Sequence, residues 1–227
     1  VVMIKIIKGL IIINIVCLHG QTISLNNIEN GLLTTLKSKN IQVILTSGSA
    51  LTFFASKFDN TLATYTKDKN LLPSPLSQVG DFWGILSPLA VWAIMSKSNM
   101  NKDYVSNAFA ANILSTYAIK SLSQRQRPDG SNNYSFPSGH TSNSFLAAEL
   151  INQIEGMPSS IPFYLLSINT ALSRINDKKH FLSDVVFGAA IGISIGKGFK
   201  ILRKEKTDQR LKDDLEKDFY IHFRWLI

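Results

Sequence analysis

Apolar residues recur at helical rather than alternating spacing along most of this 227-residue chain, from residue 41 to residue 200. The spacing predicts six helices, over residues 41–57, 82–96, 103–121, 139–153, 160–174 and 184–200. The links between them carry residues that interrupt helices, namely Pro73, Pro75, Gly130, Gly156 and Pro158. The pattern therefore predicts an all-α fold, a bundle of about six core helices.

The two ends of the chain have different patterns. Lys5 and Lys8 precede an apolar stretch over residues 9–18, and a polar segment follows, which is typical of a secretory signal peptide. An uncleaved N-terminal anchor is the alternative. We therefore expect a signal peptide or anchor over 1–20, a linker over 21–40, the helical domain over 41–200 and a charged C-terminal tail over 201–227. In that tail, the alternation in residues 220–227 is compatible with a strand, a frayed helix or a plain tail.

Charge and cysteine content narrow the possible partners. The formal net charge is +8, which fits a protein that binds nucleic acid, an anionic membrane or phosphorylated substrates. Much of this charge lies in the mixed-sign stretch Lys200–Lys217 rather than in a basic run with interleaved aromatic residues, so we expect no nucleic acid. The single cysteine, Cys17, allows no intrachain disulfide. The four histidines show no zinc-binding spacing, so we predict no metal site.

Three polar patterns follow one another between residues 120 and 184. They read Lys120, six residues, Arg127-Pro128; then, directly after Phe136, Pro137-Ser138-Gly139-His140; then Ser173-Arg174, five residues, His180, three residues, Asp184. Each pattern alone is common in proteins that have no related function. Together they fix eleven residues in order and contain two of the four histidines, which is not expected by accident.

The first chemical feature of these patterns is a set of groups that suit an anion. Lys120, Arg127 and Arg174 carry many hydrogen-bond donors and no acceptor, which matches the oxygens of a phosphate. Ser138 and Gly139 lie where a helix should begin, and the free N–H groups of a helix start also attract an anion. Gly139 would let a phosphate approach the backbone closely.

The second feature is a pair of imidazoles. His140 lies on the first turn of the predicted helix, where it can give or take a proton. His180 and Asp184 are four residues apart, so their side chains can meet on a helical turn. A carboxylate beside one ring nitrogen fixes the tautomer and makes the other nitrogen more basic.

Bundle topology brings the three patterns together. In an up-and-down bundle, the end of the third predicted helix, the start of the fourth, the end of the fifth and the start of the sixth share one end. These four places carry the three patterns. We therefore expect an active site at one end of the bundle.

The three patterns resemble the signature of the type 2 phosphatidic acid phosphatase superfamily, with that family's spacings, and the helical pattern extends the resemblance over about 41–200. The resemblance implies that His180 forms a phosphohistidine and that Asp184 orients it. It implies that His140 protonates the leaving oxygen and later activates water. It implies that the phosphate is bound by Lys120, Arg127, Ser138, Gly139 and Arg174. It implies no cofactor, with vanadate as an inhibitor.

Other functions are compatible with the same residues. The superfamily also contains vanadium-dependent haloperoxidases, in which this constellation holds vanadate, although these are generally much larger chains. A non-catalytic protein that binds anionic head groups is a further alternative, but it would not need both histidines. A phosphotransferase also fits, since the second step can accept an alcohol instead of water.

Helix length and charge distribution bear on the cellular location of the protein. Most predicted helices are shorter than the roughly 20 apolar residues that span a bilayer, and they carry polar residues such as Asn107 and Glu149. We therefore expect an exported protein of the cell envelope or periplasm that lies at a membrane surface. The alternative is an integral membrane protein with an outward-facing active site, and Lys37, Lys97 and Arg203 at the opposite end follow the positive-inside rule.

The expected substrate is a phosphorylated lipid or a small phosphate ester. The segment 59–81 is interpreted as a connector or as the lip of an entrance. Asp81 is interpreted as the N-cap of the helix that follows it, with no role in chemistry.

Overall fold

The structure is a computed structural model that describes residues 23–95 and 102–224. In these ranges it contains eight helices: α1 Leu25–Lys37, α2 Lys39–Ser56, α3 Asp59–Asp68, α4 Ser74–Met95, α5 Lys102–Ser123, α6 Gly139–Glu155, α7 Met157–Asn176 and α8 Leu182–Arg224. The prediction of an all-α fold is confirmed. The predicted signal peptide or anchor, 1–20, lies outside the described residues.

Each of the six predicted helices corresponds to an observed one, but several bounds differ. Helix α4 begins at Ser74, so Asp81 lies inside the helix and its interpretation as an N-cap is wrong. Pro75 occupies the first turn of α4, where a missing N–H removes no helical hydrogen bond. Helix α8 continues through the expected charged tail to Arg224, so residues 220–224 form a helix and not a strand.

Two further helices lie in segments that were expected to be linker or connector. Helix α1 occupies most of 21–40; the side chain of Ser24 caps it by accepting from the N–H of Asn27, and Ile28 is buried. Helix α3 lies within 59–81. Helix α3 is short and polar, whereas α1 has apolar residues at helical spacing, Leu25, Ile28, Leu32 and Leu36, which the prediction of a linker overlooked.

Helix α6 is the centre of the bundle. It packs against α4, α7 and α8, while α1 and α2 cover the outer side of α8. The apolar core lies among α4, α5, α6 and α8 and includes Val91, Met95, Ala108, Ala111, Leu146, Leu150, Ile151, Ile191, Ile195 and Phe199. The active-site patterns lie at one end of this core, as bundle topology predicts.

A row of glycines lets α8 approach α6 closely. A Cβ atom at Gly188 would lie 2.6 Å from the carbonyl oxygen of Ser138, and one at Gly196 would lie 2.6 Å from Cγ of Glu149. Both are far inside normal contact distance. The backbone of α8 is therefore held against the start of α6, which ties His180 and Asp184 to Ser138.

We expect Gly188→Ala to destabilise the fold by about 1–3 kcal/mol, because the added methyl group meets backbone that can move only with the whole helix. Thermal unfolding of the purified protein measures the effect. The matched control is Gly139→Ala, since a Cβ there would come no closer than 4.0 Å to Cε of Lys120. Equal unfolding temperatures for the two variants would contradict this account of the packing.

Among the described residues, one helical segment is long and apolar enough to cross a membrane, Leu182–Lys212 of α8. Just over half of its most apolar stretch is buried inside the bundle.

Candidate active site

The loop between α5 and α6 is organised by Lys120. Its ammonium group donates to the carbonyl oxygens of Tyr134 at 2.7 Å and Pro137 at 2.5 Å, with Ser135 at 3.4 Å. Lys120 is buried, and its Cε lies near Gly139. Lys120, which is predicted to bind the phosphate, therefore lies directly beside the start of α6. It also holds the loop that leads to this helix.

Ser138 is the N-cap of α6. Its hydroxyl oxygen accepts from the N–H of Thr141 at 3.5 Å and from the Thr141 hydroxyl at 3.0 Å. Its own N–H donates to the carbonyl oxygen of Asp184 at 2.9 Å. The cap fixes the start of α6 against α8, so that Gly139 and His140 form the first helical turn in front of the third pattern.

Two arginines supply buried donors that have no partner. The Nε atoms of Arg127 and Arg174 are inaccessible to solvent and make no hydrogen bond within the described parts of the chain. A buried donor without an acceptor costs about 1–3 kcal/mol. Burial, followed by the charge of Arg174, lowers the pKa of Arg127. The two guanidinium groups lie close enough for their charges to interact, and each has a buried Nε–H without an acceptor.

The two imidazoles lie beside these cations. His180 is buried and His140 is partly buried. The pKa of His140 is lowered by burial and by the charges of Arg174, His180, Arg127 and Lys120. Burial also lowers the pKa of His180 to about 4, against the opposing effect of Asp184, with Lys120 and Arg127 adding to the decrease. Groups from all three patterns therefore share one electrostatic environment.

His180 and Asp184 are close but not hydrogen-bonded. Nδ1 of His180 lies 3.6 Å from Oδ2 of Asp184, which is longer than a hydrogen bond. Oδ2 already accepts from the Ser135 hydroxyl at 2.5 Å and from the N–H of Phe181 at 2.8 Å. His180 itself lies in the loop before α8 rather than on the helix. The predicted pairing is thus present as a close approach without a hydrogen bond, with the imidazole facing the carboxylate.

Four residues that support the residues of the three patterns were not predicted from the sequence. Asp81 accepts from Arg174 and, at 3.0 Å, from the Ser173 hydroxyl, so it contacts two residues of the third pattern. Arg125 and Ser135 bind Asp184, and Asp59 binds Arg125. Only Arg125 and Ser135 lie near a motif in sequence, which is a weak signal.

No group of three or more His, Cys, Asp or Glu side chains in the ranges 23–95 and 102–224 is arranged to hold a metal ion. The donor-rich side chains of the three patterns, by contrast, converge on the turn at Gly139 and His140.

Comparison with known proteins agrees with this site. The sequence model of the PAP2 superfamily matches residues 103–208, a range that contains all three patterns. Decaprenylphosphoryl-5-phosphoribose phosphatase of Mycobacterium tuberculosis is 33% identical over 123 residues, which are 50% of this chain and 67% of that protein. This chain belongs to the PAP2 superfamily. The resemblance that the motifs indicated is confirmed.

Another relative of this PAP2 protein is the lipid A 1-phosphatase of Porphyromonas gingivalis. It is 43% identical over 75 residues, 32% of this chain, but the chain spans only 17% of that protein's length. Both relatives are named phosphatases of phosphorylated lipids.

Two solved structures share the fold. Aquifex aeolicus LpxE aligns with a TM-score of 0.52 and 19% identity, covering 63% of this chain and 94% of LpxE. The transmembrane PAP2-type phosphatidylglycerolphosphate phosphatase of Bacillus subtilis aligns with a TM-score of 0.54 and 16% identity, covering 78% and 96%. At these identities the likeness establishes the helical fold.

Proposed function

We propose that this PAP2 protein hydrolyses phosphomonoesters, specifically lipid or polyprenyl phosphates, through a phosphohistidine on His180 and without a metal ion. The observation that carries the proposal is the unpartnered, buried Nε atoms of Arg127 and Arg174 beside the imidazoles of His140 and His180. The names of both relatives support the same reaction.

In the first step, Nε2 of His180 attacks phosphorus, because Nδ1 faces Asp184. Attack needs a neutral ring, and a pKa of about 4 keeps His180 neutral at neutral pH. The N–P bond forms as the bond from phosphorus to the leaving oxygen breaks, and His140 donates a proton to that oxygen. The surrounding cations lower the pKa of His140, and an incoming phosphate dianion opposes them, so binding favours protonation of His140.

In the second step, water attacks phosphorus, gives its proton to His140 and releases phosphate as the N–P bond breaks. Arg127, Arg174 and the first N–H groups of α6 hold the equatorial oxygens, where negative charge is concentrated in the transition state. Lys120 adds positive charge next to Gly139. Asp184 orients His180 and stabilises its cationic form.

The surface supports a lipid substrate. Large apolar side chains are exposed in rows on three helices: Val43, Leu51, Phe53 and Phe54 on α2; Phe82, Ile85, Leu86 and Leu89 on α4; Ile161, Leu165, Ile168 and Leu172 on α7. Exposed apolar area of this extent marks a surface that meets lipid or another protein. We propose that the bundle associates with a membrane, in an exported protein of the cell envelope whose active site faces outward.

Phosphate release from a panel of lipid, polyprenyl and soluble phosphates, in the presence of a chelator, tests the function. We expect hydrolysis of the lipid substrates without added metal and inhibition by vanadate. Halogenation with vanadate and peroxide would support a haloperoxidase instead. Binding of the lipids without any phosphate release would leave a head-group binder.

The low pKa of His180 predicts how stability depends on pH. The unfolded chain takes up a proton on this ring near its ordinary pKa, whereas the folded protein does so only near 4, so acid favours unfolding. We expect the thermal unfolding temperature to fall as the pH is lowered from about 6.5 to 4. His180→Gln should weaken this dependence, and an identical pH profile in the variant would contradict the assignment.

A further inference from the structure

Arg125 lies between Lys120 and Arg127, in the six positions that the first pattern leaves open. Helix α5 ends at Ser123, and Gln124 has a positive φ of 42°, which turns the chain away from the helix axis. The turn directs the side chain of Arg125 across to α8, 59 residues further along the chain.

The guanidinium group of Arg125 joins two buried carboxylates. Nη1 donates to Oδ1 of Asp184 at 2.8 Å, and Nη2 donates to Oδ2 of Asp59 at 2.7 Å. Nη1 also binds the hydroxyl of Ser183 at 2.7 Å. The group lies over the ring of Phe181, 4.1 Å from its centroid. A fork of this kind fixes both position and orientation, which a single point charge does not.

Asp59 completes the arrangement from α3. It is 3% exposed and accepts from the N–H and the hydroxyl of Ser183, at 3.0 Å and 2.6 Å. Two carboxylates are thus buried on either side of Ser183, and Arg125 is the cation that pairs with both. Without Arg125, their mutual repulsion and unpaired burial would displace Asp184.

The two oxygens of Asp184 have separate neighbours. Arg125 binds Oδ1, which leaves Oδ2 toward His180, Ser135 and the N–H of Phe181. The backbone of Arg125 contributes as well, because its carbonyl accepts from the N–H of Ser135 at 2.9 Å. Arg125 therefore fixes the carboxylate and one of the groups that bind its other oxygen.

We propose that Arg125, anchored by Asp59, is a positioning residue for the reaction: it holds Asp184 in the orientation that aligns His180 for attack. The proposal rests on the proposed phosphatase function. It also gives α3 a role, since the helix interpreted from sequence as connector or lip supplies the anchor.

Steady-state kinetics with p-nitrophenyl phosphate test the proposal. Arg125→Gln should lower kcat by about 10- to 100-fold, the usual cost of losing a group that orients a catalytic side chain, with KM changed by less than about twofold. Asp59→Asn should lower kcat less. The double variant should be no worse than Arg125→Gln, because both act through Asp184. Arg203→Gln is the matched control. Like Arg125, Arg203 lies over an aromatic ring, but it is a residue of α8 and its partner is Tyr104 on α5.

Chemical rescue separates positioning from a purely structural role. The side chain of Arg125 is 31% exposed, so guanidinium ion can enter the space left in Arg125→Ala. We expect added guanidinium to restore part of the lost kcat in Arg125→Ala and to leave His180→Gln unchanged. Arg125→Lys, which keeps the charge without the fork, should retain an intermediate kcat and keeps the test valid if the alanine variant does not fold.

The outcomes are distinct. A wild-type protein that hydrolyses no phosphate would overturn the proposed function and the positioning role with it. An active wild type together with a folded Arg125→Gln variant of unchanged kcat would overturn the positioning role alone. A large rise in KM at unchanged kcat would do the same, because it would place Arg125 in substrate binding.

Discussion

Replacing His180 with Gln is expected to lower kcat for every phosphate substrate by at least about 10⁴-fold, because the variant has no nucleophile for the first step. The expected loss of kcat is larger than that for replacing any single residue that binds the phosphate. In His180→Gln the cations still bind the substrate, but no N–P bond can form. KM should change little. Phosphate release by the purified variant, at high enzyme concentration, measures the effect.

A trapping experiment makes the His180 prediction specific. Rapid denaturation during turnover should yield a phosphorylated wild-type protein whose label is stable to alkali and lost in acid, as expected for phosphohistidine, and mass spectrometry should place it on His180. The variant should carry no label. Lys179→Gln is the control, because Lys179 is adjacent to His180 but forms an exposed pair with Asp129. Label on another residue, or full activity of His180→Gln, would refute the nucleophile assignment.

The sequence was sufficient to predict which residues lie together at the proposed phosphate site. They lie in short patterns whose spacing is fixed by local geometry, such as Ser138 at the N-cap of α6 and Gly139 beside it. Bundle topology then placed the patterns at one end without knowledge of any distance. Local sequence patterns are sufficient to predict a site residue when its position is set by the helix start or turn that carries it.

Contacts that join distant segments were not predictable. Asp59 and Arg125 are 66 residues apart, and Asp81 and Arg174 are 93 residues apart. No local pattern marks either pair, because each depends on how α3 and α4 pack against the end of the bundle. The 3.6 Å separation of His180 and Asp184 likewise reflects tertiary contacts, since Ser135 and Phe181 already bind the carboxylate.

The missed helices have a physical explanation as well. Helix α3 is polar and begins at a buried Asp59, so it shows little apolar periodicity, whereas α1 has apolar residues at helical spacing among Asn26, Asn27 and Asn30. Their stability comes from caps and tertiary contacts rather than from intrinsic propensity. The C-terminal part of α8 carries charges of both signs. Because these charged residues have good helix propensity, the segment predicted as a tail forms a helix.

Replacing His140 with Asn should separate the two chemical steps. The residue lies on the first turn of α6, and its ring packs against α4 where Gly84 leaves room for it. With an alkyl phosphate, loss of the general acid should lower kcat by about 10²- to 10⁴-fold. With p-nitrophenyl phosphate the leaving group needs little protonation, so phosphorylation of His180 should proceed while the attack of water remains slow.

The His140 variant should therefore release a rapid burst of p-nitrophenol, close to one per enzyme molecule, followed by slow turnover, and it should accumulate the phosphohistidine. Stopped-flow absorbance measures the burst, and the double variant with His180→Gln is the control that should show none. Equal losses for activated and unactivated substrates without a burst would contradict the assignment, because they would mean that His140 acts on binding rather than on proton transfer. A burst in this variant would establish that the two imidazoles act in sequence on the same phosphoryl group.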